Sequence, residues 1–387
     1  MNRVCSIFSQ LLQLFPRLEF EQSVREHRAE RHARGFSCWG QFVAMLFCQL
    51  GRAQSLREIC GGLAASEGKL RHLGVTQAPR RSTLSYANEH RPWELYRAVF
   101  QSLLGKCQQP AGRRKKFRFK NKLTSLDASV IDLCASMYDW AKFRRTKGGV
   151  KLHLLLDHDG YLPAYAVIEP AQMPEVRVAR KLSLEPGSIV VMDRGYTDYD
   201  WYAELTAAGV YFVTRQRWNA YFRVQKRRPV PDQGNVISDE VGLLGHRNYR
   251  TGVPVRRVVV RNPEGGKPLE FLTNHMEFAA STIAHIYRDR WQIEVFFKAL
   301  KQSLRVKTFV GTSANALKIQ IWTALIAMLL LKYLQLRATF GWSLSNLVAL
   351  LRQQLFVYRD LYSWLNRPFQ PPPALDGIHD QQLALAW

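Results

Sequence analysis

The chain has 387 residues, 47% hydrophobic and 12% aromatic, which describes a folded protein with material for two or three domains. Its 55 Lys and Arg against 31 Asp and Glu give a formal charge of +24, which points to a polyanionic partner, nucleic acid before an anionic membrane surface. Six cysteines (Cys5, Cys38, Cys48, Cys60, Cys107, Cys134) lack CxxC or Cys/His spacing, which argues against a zinc module or disulfide scaffold and for a reducing cytoplasm.

The N-terminal stretch "MNRVCSIFSQLLQLFPRLEF" reads as an amphipathic helix, since Gln10, Gln13 and Pro16 interrupt any signal-peptide core. Residues 1–112 are expected to form a helical DNA-binding domain. Ser55 and Glu58 have capping-box spacing, with Gly61 and Gly62 interrupting or ending that helix. A second helix follows Pro79, capped by Ser82 or Thr83 and entered through Arg80 and Arg81, a basic entry compatible with helix-turn-helix-like DNA binding. Residues 113–122 form a basic linker in which seven of ten residues are Lys or Arg, with Phe117 and Phe119 interleaved. Arg113, Arg114, Lys115 and Lys116 suit release of counterions from DNA phosphates.

From residue 123 the texture changes. "LTSLDASVIDL" alternates as a strand does and places Asp127 within it. "GGVKLHLLLDHDGYLPAYAVIEP" reads as a hairpin around Asp159-Gly160, and "PEVRVARKLSLEPG" as a helix and turn. "SIVVMDRGYTDYDWYAELTAAGVYFVTRQ" reads as a buried strand ending at Asp193, a glycine turn, a helix to Gly209 and a strand ending near Arg215. The expected class is therefore mixed (α+β or α/β), and the run βββαβαβ is the outline of a ribonuclease H-like fold over residues 123–387, with a β-rich insertion at about 218–272. "IWTALIAMLLL", bounded by Lys318 and Lys332, is shorter than a membrane span and reads as a buried core helix.

"YRDRWQIEVFFKALKQSLRVK" carries the most chemistry. Read as one helix with Tyr287 at zero, Arg290, Lys301 and Glu294 fall near 300°, 320° and 340°, at about 100° per residue. Ile286, Ile293, Phe296, Phe297 and Leu300 form the adjoining apolar side, so the helix packs by one face and presents a carboxylate among cations on the next. Asp127, Asp193 and Glu294 are hard oxygen donors of the kind that two divalent ions require for phosphodiester cleavage. The other acids fit less well: Asp132 faces the other side of its strand, Asp157 and Asp159 flank a turn, Asp198 and Asp200 start a helix, and Asp289 lies about 140° from Glu294.

Tyr287, Arg290, Glu294 and Lys301 fit Y-x2-R-x3-E-x6-K, and with "SLDASVIDLC", "MDRGY" and "DWAKFRRTKGGVKLH" the chain resembles the DDE transposases of bacterial insertion sequences that carry the YREK signature. The resemblance implies a metal-dependent DNA transposase that binds its element's terminal inverted repeats, cuts them through a hairpin and joins them to target DNA. It implies two Mg²⁺ or Mn²⁺ ions held by Asp127, Asp193 and Glu294, with Tyr287, Arg290 and Lys301 gripping phosphates beside the scissile bond. Trp291 and Arg215 are further candidate DNA contacts. Double-stranded DNA, a homodimer assembled on it and a cytoplasmic setting follow from the same likeness. Relatives hold a flipped base with a Trp late in the insertion; none lies between Trp218 and Trp291 here, leaving Phe271 or His275 as substitutes. A nuclease that only hydrolyses, and a DNA-binding descendant without catalysis, are the rival readings.

Overall fold

A computed structural model describes residues 5–370, apart from residues 32, 34, 67, 113–115, 134–137, 145, 146, 231, 232, 247, 248 and 304–308. Arg113, Arg114, Lys115 and Cys134 lie outside the described residues.

Six helices come first: α1 (Ile7–Leu12), α2 (Arg17–Glu26), α3 (Cys38–Leu50), α4 (Leu56–Ala64), α5 (Arg81–His90) and α6 (Glu94–Ala111). Ser55 caps α4 as its spacing predicts, its Oγ accepting from Glu58 N at 3.2 Å. Gly61 and Gly62, expected to interrupt this helix, lie inside it. A Cβ at Gly62 would stand 2.9 Å from the Phe47 ring, so the glycine lets α4 lie close against α3. The next helix begins earlier than a cap at Ser82 or Thr83 would start it: Arg80 is its N-cap, without a side-chain hydrogen bond.

The strands are β1 (Leu123–Leu133), β2 (Lys142–Arg144), β3 (Lys147–Asp157) and β4 (Leu162–Pro170); after α7 (Glu175–Ala179) come β5 (Ile189–Met192), α8 (Tyr199–Ala207) and β6 (Tyr211–Arg215). The insertion supplies β7 (Phe222–Arg227), β8 (Val236–His246) and β9 (Tyr249–Val260), and the chain returns through β10 (Leu269–Thr273). All ten strands share one sheet. Its path runs β2-β3-β1-β5-β6-β10-β9-β8-β7, with β4 also paired to β3. β1, β5 and β6 are parallel neighbours, and β3 and β10 flank them antiparallel.

The final helices are α9 (Ala280–Asp289), α10 (Trp291–Ser303), α11 (Ala314–Arg337), α12 (Leu344–Gln354) and α13 (Leu361–Asn366). Alternation along β1 divides its side chains between two faces. Leu126 packs with β5, β6 and α8 on one face, and Ile131 and Leu133 join the core shared with the helices on the other. That larger core unites α1–α6 with α10–α13, and Ile7 N donates to Val357 O at 3.0 Å, joining α1 to the segment after α12. By length and composition α11 could cross a membrane, but 83% of its apolar window is buried inside the fold. The described cysteines are free, and burial pushes the thiols of Cys38 and Cys107 up to about 12, far from reactive thiolates.

Residues 280–303 depart from the single helix read above. The ladder breaks at Arg290, where Arg290 N donates to Tyr287 O and Ile293 N to Arg290 O. The cause is that the two halves pack on different cores. Ile283 and Ile286 of α9 bury against β5, β6 and β9, whereas Ile293, Phe296, Phe297 and Leu300 of α10 join the helical core. Asp289 clamps the end of α9 by pairing with Lys116 and with His158 Nδ1 (2.7 Å).

Candidate active site

β1 carries Asp127 on the sheet face that receives α10, and the C-terminal end of its parallel neighbour β5 delivers Asp193. Asp193 ends the strand and caps the following turn, its Oδ1 accepting from Gly195 N at 2.8 Å. From above, α10 brings Glu294. Arg290, at the helix break, lies between the carboxylates: its Nη2 donates to Glu294 Oε1 at 2.5 Å, and its Nη1 stands 3.8 Å from Asp127 Oδ2. The guanidinium also sits 5.5 Å from the centre of the Tyr287 ring. Tyr287 packs on Phe271, and burial raises its hydroxyl; among its charged neighbours Arg290 and Arg215 lower it and Asp193 raises it. Asp127, Asp193, Glu294, Arg290, Tyr287 and Arg215 thus converge despite the broken helix.

Lys301 lies further along α10 on the same side, donating from Nζ to Val130 O of β1 at 2.8 Å. Trp291 is 59% exposed beside Arg290, available for stacking. Arg80 and Arg81 are exposed at the start of α5, apart from this cluster. Lys116 is tied to Asp289, the acid that the helical geometry had set aside as a ligand. Phe117 and Phe119 anchor the basic linker by packing against the core under α9. Phe271 and His275 are 2% and 4% exposed, the first against Tyr287 and the second stacked on Phe278, so neither is placed to receive an extruded base. Phe271 lies on β10, inside the sheet between β6 and β9, and His275 just beyond it packs on Tyr211 and Phe278. Trp218, which the sequence reading did not select, is 92% exposed and lines an open cleft of about 460 Å³ with Asp193, Arg194 and Arg217.

Burial pushes the Asp127 carboxyl up to about 7, and Asp193 and Glu175 add to the rise, while the Ala128 N–H and Arg290 oppose it. No three His, Cys, Asp or Glu side chains among the described residues stand together as a formed metal site, and Arg290 takes the place of a cation between Asp127 and Glu294. The donor set still fits hard divalent ions: it offers carboxylate oxygens only, from three rigid elements, around a buried acid whose charge needs a counterion.

Residues 118–330, more than half of the chain, match the family described as the transposase DDE domain, and the chain belongs to that family. It is therefore a metal-dependent enzyme that cleaves DNA and transfers strands. Residues 4–76 match a second family, described as a domain of unknown function, DUF4372. A protein of Sinorhizobium fredii named as transposase y4zB is 29% identical over 328 residues, 83% of this chain and 89% of that protein. The transposase named for insertion sequence element IS5377 of Geobacillus stearothermophilus is 28% identical over 65% of this chain and 67% of its own. That named for element IS4SA of Synechocystis sp. is 26% identical, covering 65% of this chain and 71% of its own. The piggyBac transposase synaptic complex with hairpin DNA aligns over 97% of this chain and 84% of that chain at 10% identity with a TM-score of 0.46, a likeness too distant to argue from.

Proposed function

We propose that this transposase binds the terminal inverted repeats of its own insertion sequence, cuts them with Asp127, Asp193 and Glu294, and joins them to target DNA. The observation that carries the reading is that Arg290 links Asp127 to Glu294, while Asp193 acts on both Asp127 and Tyr287. The spatial run β4-β3-β1-β5-β6, with α7 and α8 between the later strands, supports a ribonuclease H-like catalytic domain from residue 123 onward. Residues 1–112 are its helical DNA-binding part, with Arg80 and Arg81 at an exposed helix start, and the charges of Arg113, Arg114 and Lys115 suit neutralisation of DNA phosphates.

Two Mg²⁺ or Mn²⁺ ions, when bound by the three carboxylates, would activate the attacking oxygen and stabilise the leaving one. Arg290 leaves its carboxylate partners and forks onto the phosphate beside the scissile bond, while Tyr287 and Lys301 hold neighbouring oxygens. Trp291 and Arg215 flank the same strand. Water attacks first, leaving a 3′-hydroxyl at the element end. That hydroxyl attacks the opposite strand to close a hairpin, a second water reopens it, and the end is joined to target DNA. Two ends cut together call for a homodimer on DNA, acting at the bacterial nucleoid in the cytoplasm.

Incubating the protein with Mg²⁺ and DNA carrying the ends that flank its gene tests this on a denaturing gel. Nicks followed by hairpins are expected. Nicked and linear products with no hairpin and no strand joining would reduce the enzyme to a hydrolytic nuclease.

A further inference from the structure

Glu175 opens α7, which packs on the sheet face opposite α10, and it reaches the same carboxylates from there. Its Oε1 accepts from Lys151 Nζ at 3.1 Å, and Lys151 is itself anchored on Met173 O at 3.2 Å. The second oxygen, Oε2, turns towards Asp193. A Cβ built on Gly195 would meet Asp193 Oδ1 at 2.8 Å and Glu175 Oε2 at 3.1 Å, so the two oxygens border one small space that glycine alone leaves open.

A separate observation concerns the same acids. Tyr196 is fully buried, yet its hydroxyl has no hydrogen-bond partner among the described residues. The acids acting on that hydroxyl are Glu175, Asp127 and Asp193, in that order. An unsatisfied hydroxyl buried beside three carboxylates costs free energy unless a bound ligand or its water completes the site. Lys151 neutralises Glu175 from one side only. A divalent cation would offset the repulsion that remains among the three acids.

We propose that Glu175 is a fourth carboxylate of the cation site, its Oε2 coordinating the divalent ion held by Asp193 while Lys151 fixes the other oxygen. The proposal rests on the transposase reading of Asp127, Asp193 and Glu294. It gives the DDE constellation a further acid, contributed by a five-residue helix from the other face of the sheet.

Mn²⁺ binding to metal-free full-length protein, followed by electron paramagnetic resonance, tests it without DNA or turnover. Glu175→Gln should weaken Mn²⁺ binding by about tenfold or more, the range seen when a group supporting a metal site is lost, with an unchanged melting temperature in EDTA. Glu175→Cys should lose Mn²⁺ affinity similarly but keep Cd²⁺, which accepts a thiolate. Wild-type Mn²⁺ affinity in Glu175→Gln, alongside weakened binding in Asp193→Asn, would overturn the role of Glu175 and leave the DDE reading standing. Unchanged Mn²⁺ binding in Asp193→Asn as well would overturn both.

Discussion

The guanidinium of Arg290 donates from Nη2 to Glu294 Oε1 at 2.5 Å, one turn along the chain. With Nη1 3.8 Å from Asp127 Oδ2, the same group spans two elements that the sequence separates widely. Without metal, Arg290 serves as the cation that these acids require. On the proposed reading, metal binding would release its fork for a phosphate.

Arg290→Lys therefore tests the fork and not the charge. A lysine keeps +1 but presents a point charge without the planar pair of donors. Single-turnover nicking should fall by about 10²-fold, the scale of losing one donor to developing charge. Mn²⁺ affinity should not fall, because Arg290 competes with the metal for these carboxylates. A variant nicking at the wild-type rate would remove Arg290 from the phosphate-binding group.

The raised Asp127 carboxyl predicts a pH dependence whose sign can be worked out. Its folded value, about 7, lies above the ordinary 3.8, so between these limits the folded state binds more protons than the unfolded one. Stability of metal-free protein then falls as pH rises from about 4 to about 7, and the cost is complete above that range. Asp127→Asn removes it. In EDTA at pH 8 the variant should melt at least about 2 °C above wild type, with a smaller gap at pH 5. Thermal denaturation at the two pH values checks this, and a gap independent of pH would contradict it.

Gly195→Ala places a methyl group between Asp193 and Glu175, at 2.8 and 3.1 Å from their oxygens. Gly195 has no positive φ, so backbone strain is not the issue. Mn²⁺ affinity and nicking should both drop by about tenfold or more, the scale of disturbing a metal's supporting groups, while circular dichroism stays native. Full activity would show that the space between the two acids is not used.

Asp289 offers a test of the helix break. Burial alone would raise its carboxyl, but hydrogen bonds from His158 and Lys116 outweigh burial and hold it below the usual value. Its contribution to stability is present above about pH 4 and lost as pH falls through the lowered value. Asp289→Ala leaves these partners without their shared acceptor, and Ser125 Oγ lies 2.7 Å from His158 Nε2 at the end of the chain of contacts. Breaking a buried pair of this kind costs about 3 kcal/mol. Urea denaturation at pH 7 measures it, and nicking should fall too, because the pair fixes the junction that carries Arg290.

Alternation in β1, the apolar run of β5 and the glycine after Asp193 made these strands and two of the three candidate acids legible, since these are local patterns. The third was legible through the spacing of Tyr287, Arg290, Glu294 and Lys301. The break at Arg290 was not, because apolar periodicity cannot say that Ile286 and Ile293 pack on different cores. Gly62 misled for a similar reason: its space belongs to Phe47 of another helix. Glu175 gave no signal, since one acid after Pro174 at the start of a short helix looks like an ordinary dipole partner. Only the chain crossing the sheet brings it to Asp193. The insertion was read as β-rich but not as an extension of the same sheet, because strand partners distant in sequence leave no local mark.

The most direct test is the Mg²⁺-dependent nick at the element end, measured side by side for wild type, Asp127→Asn, Asp193→Asn, Glu294→Gln and the exposed control Asp132→Asn. The account predicts that the first three variants bind the DNA as wild type does but nick at least about 10³-fold more slowly, and that Asp132→Asn nicks normally. Metal-dependent nicking that survives loss of any one of the three acids would contradict it.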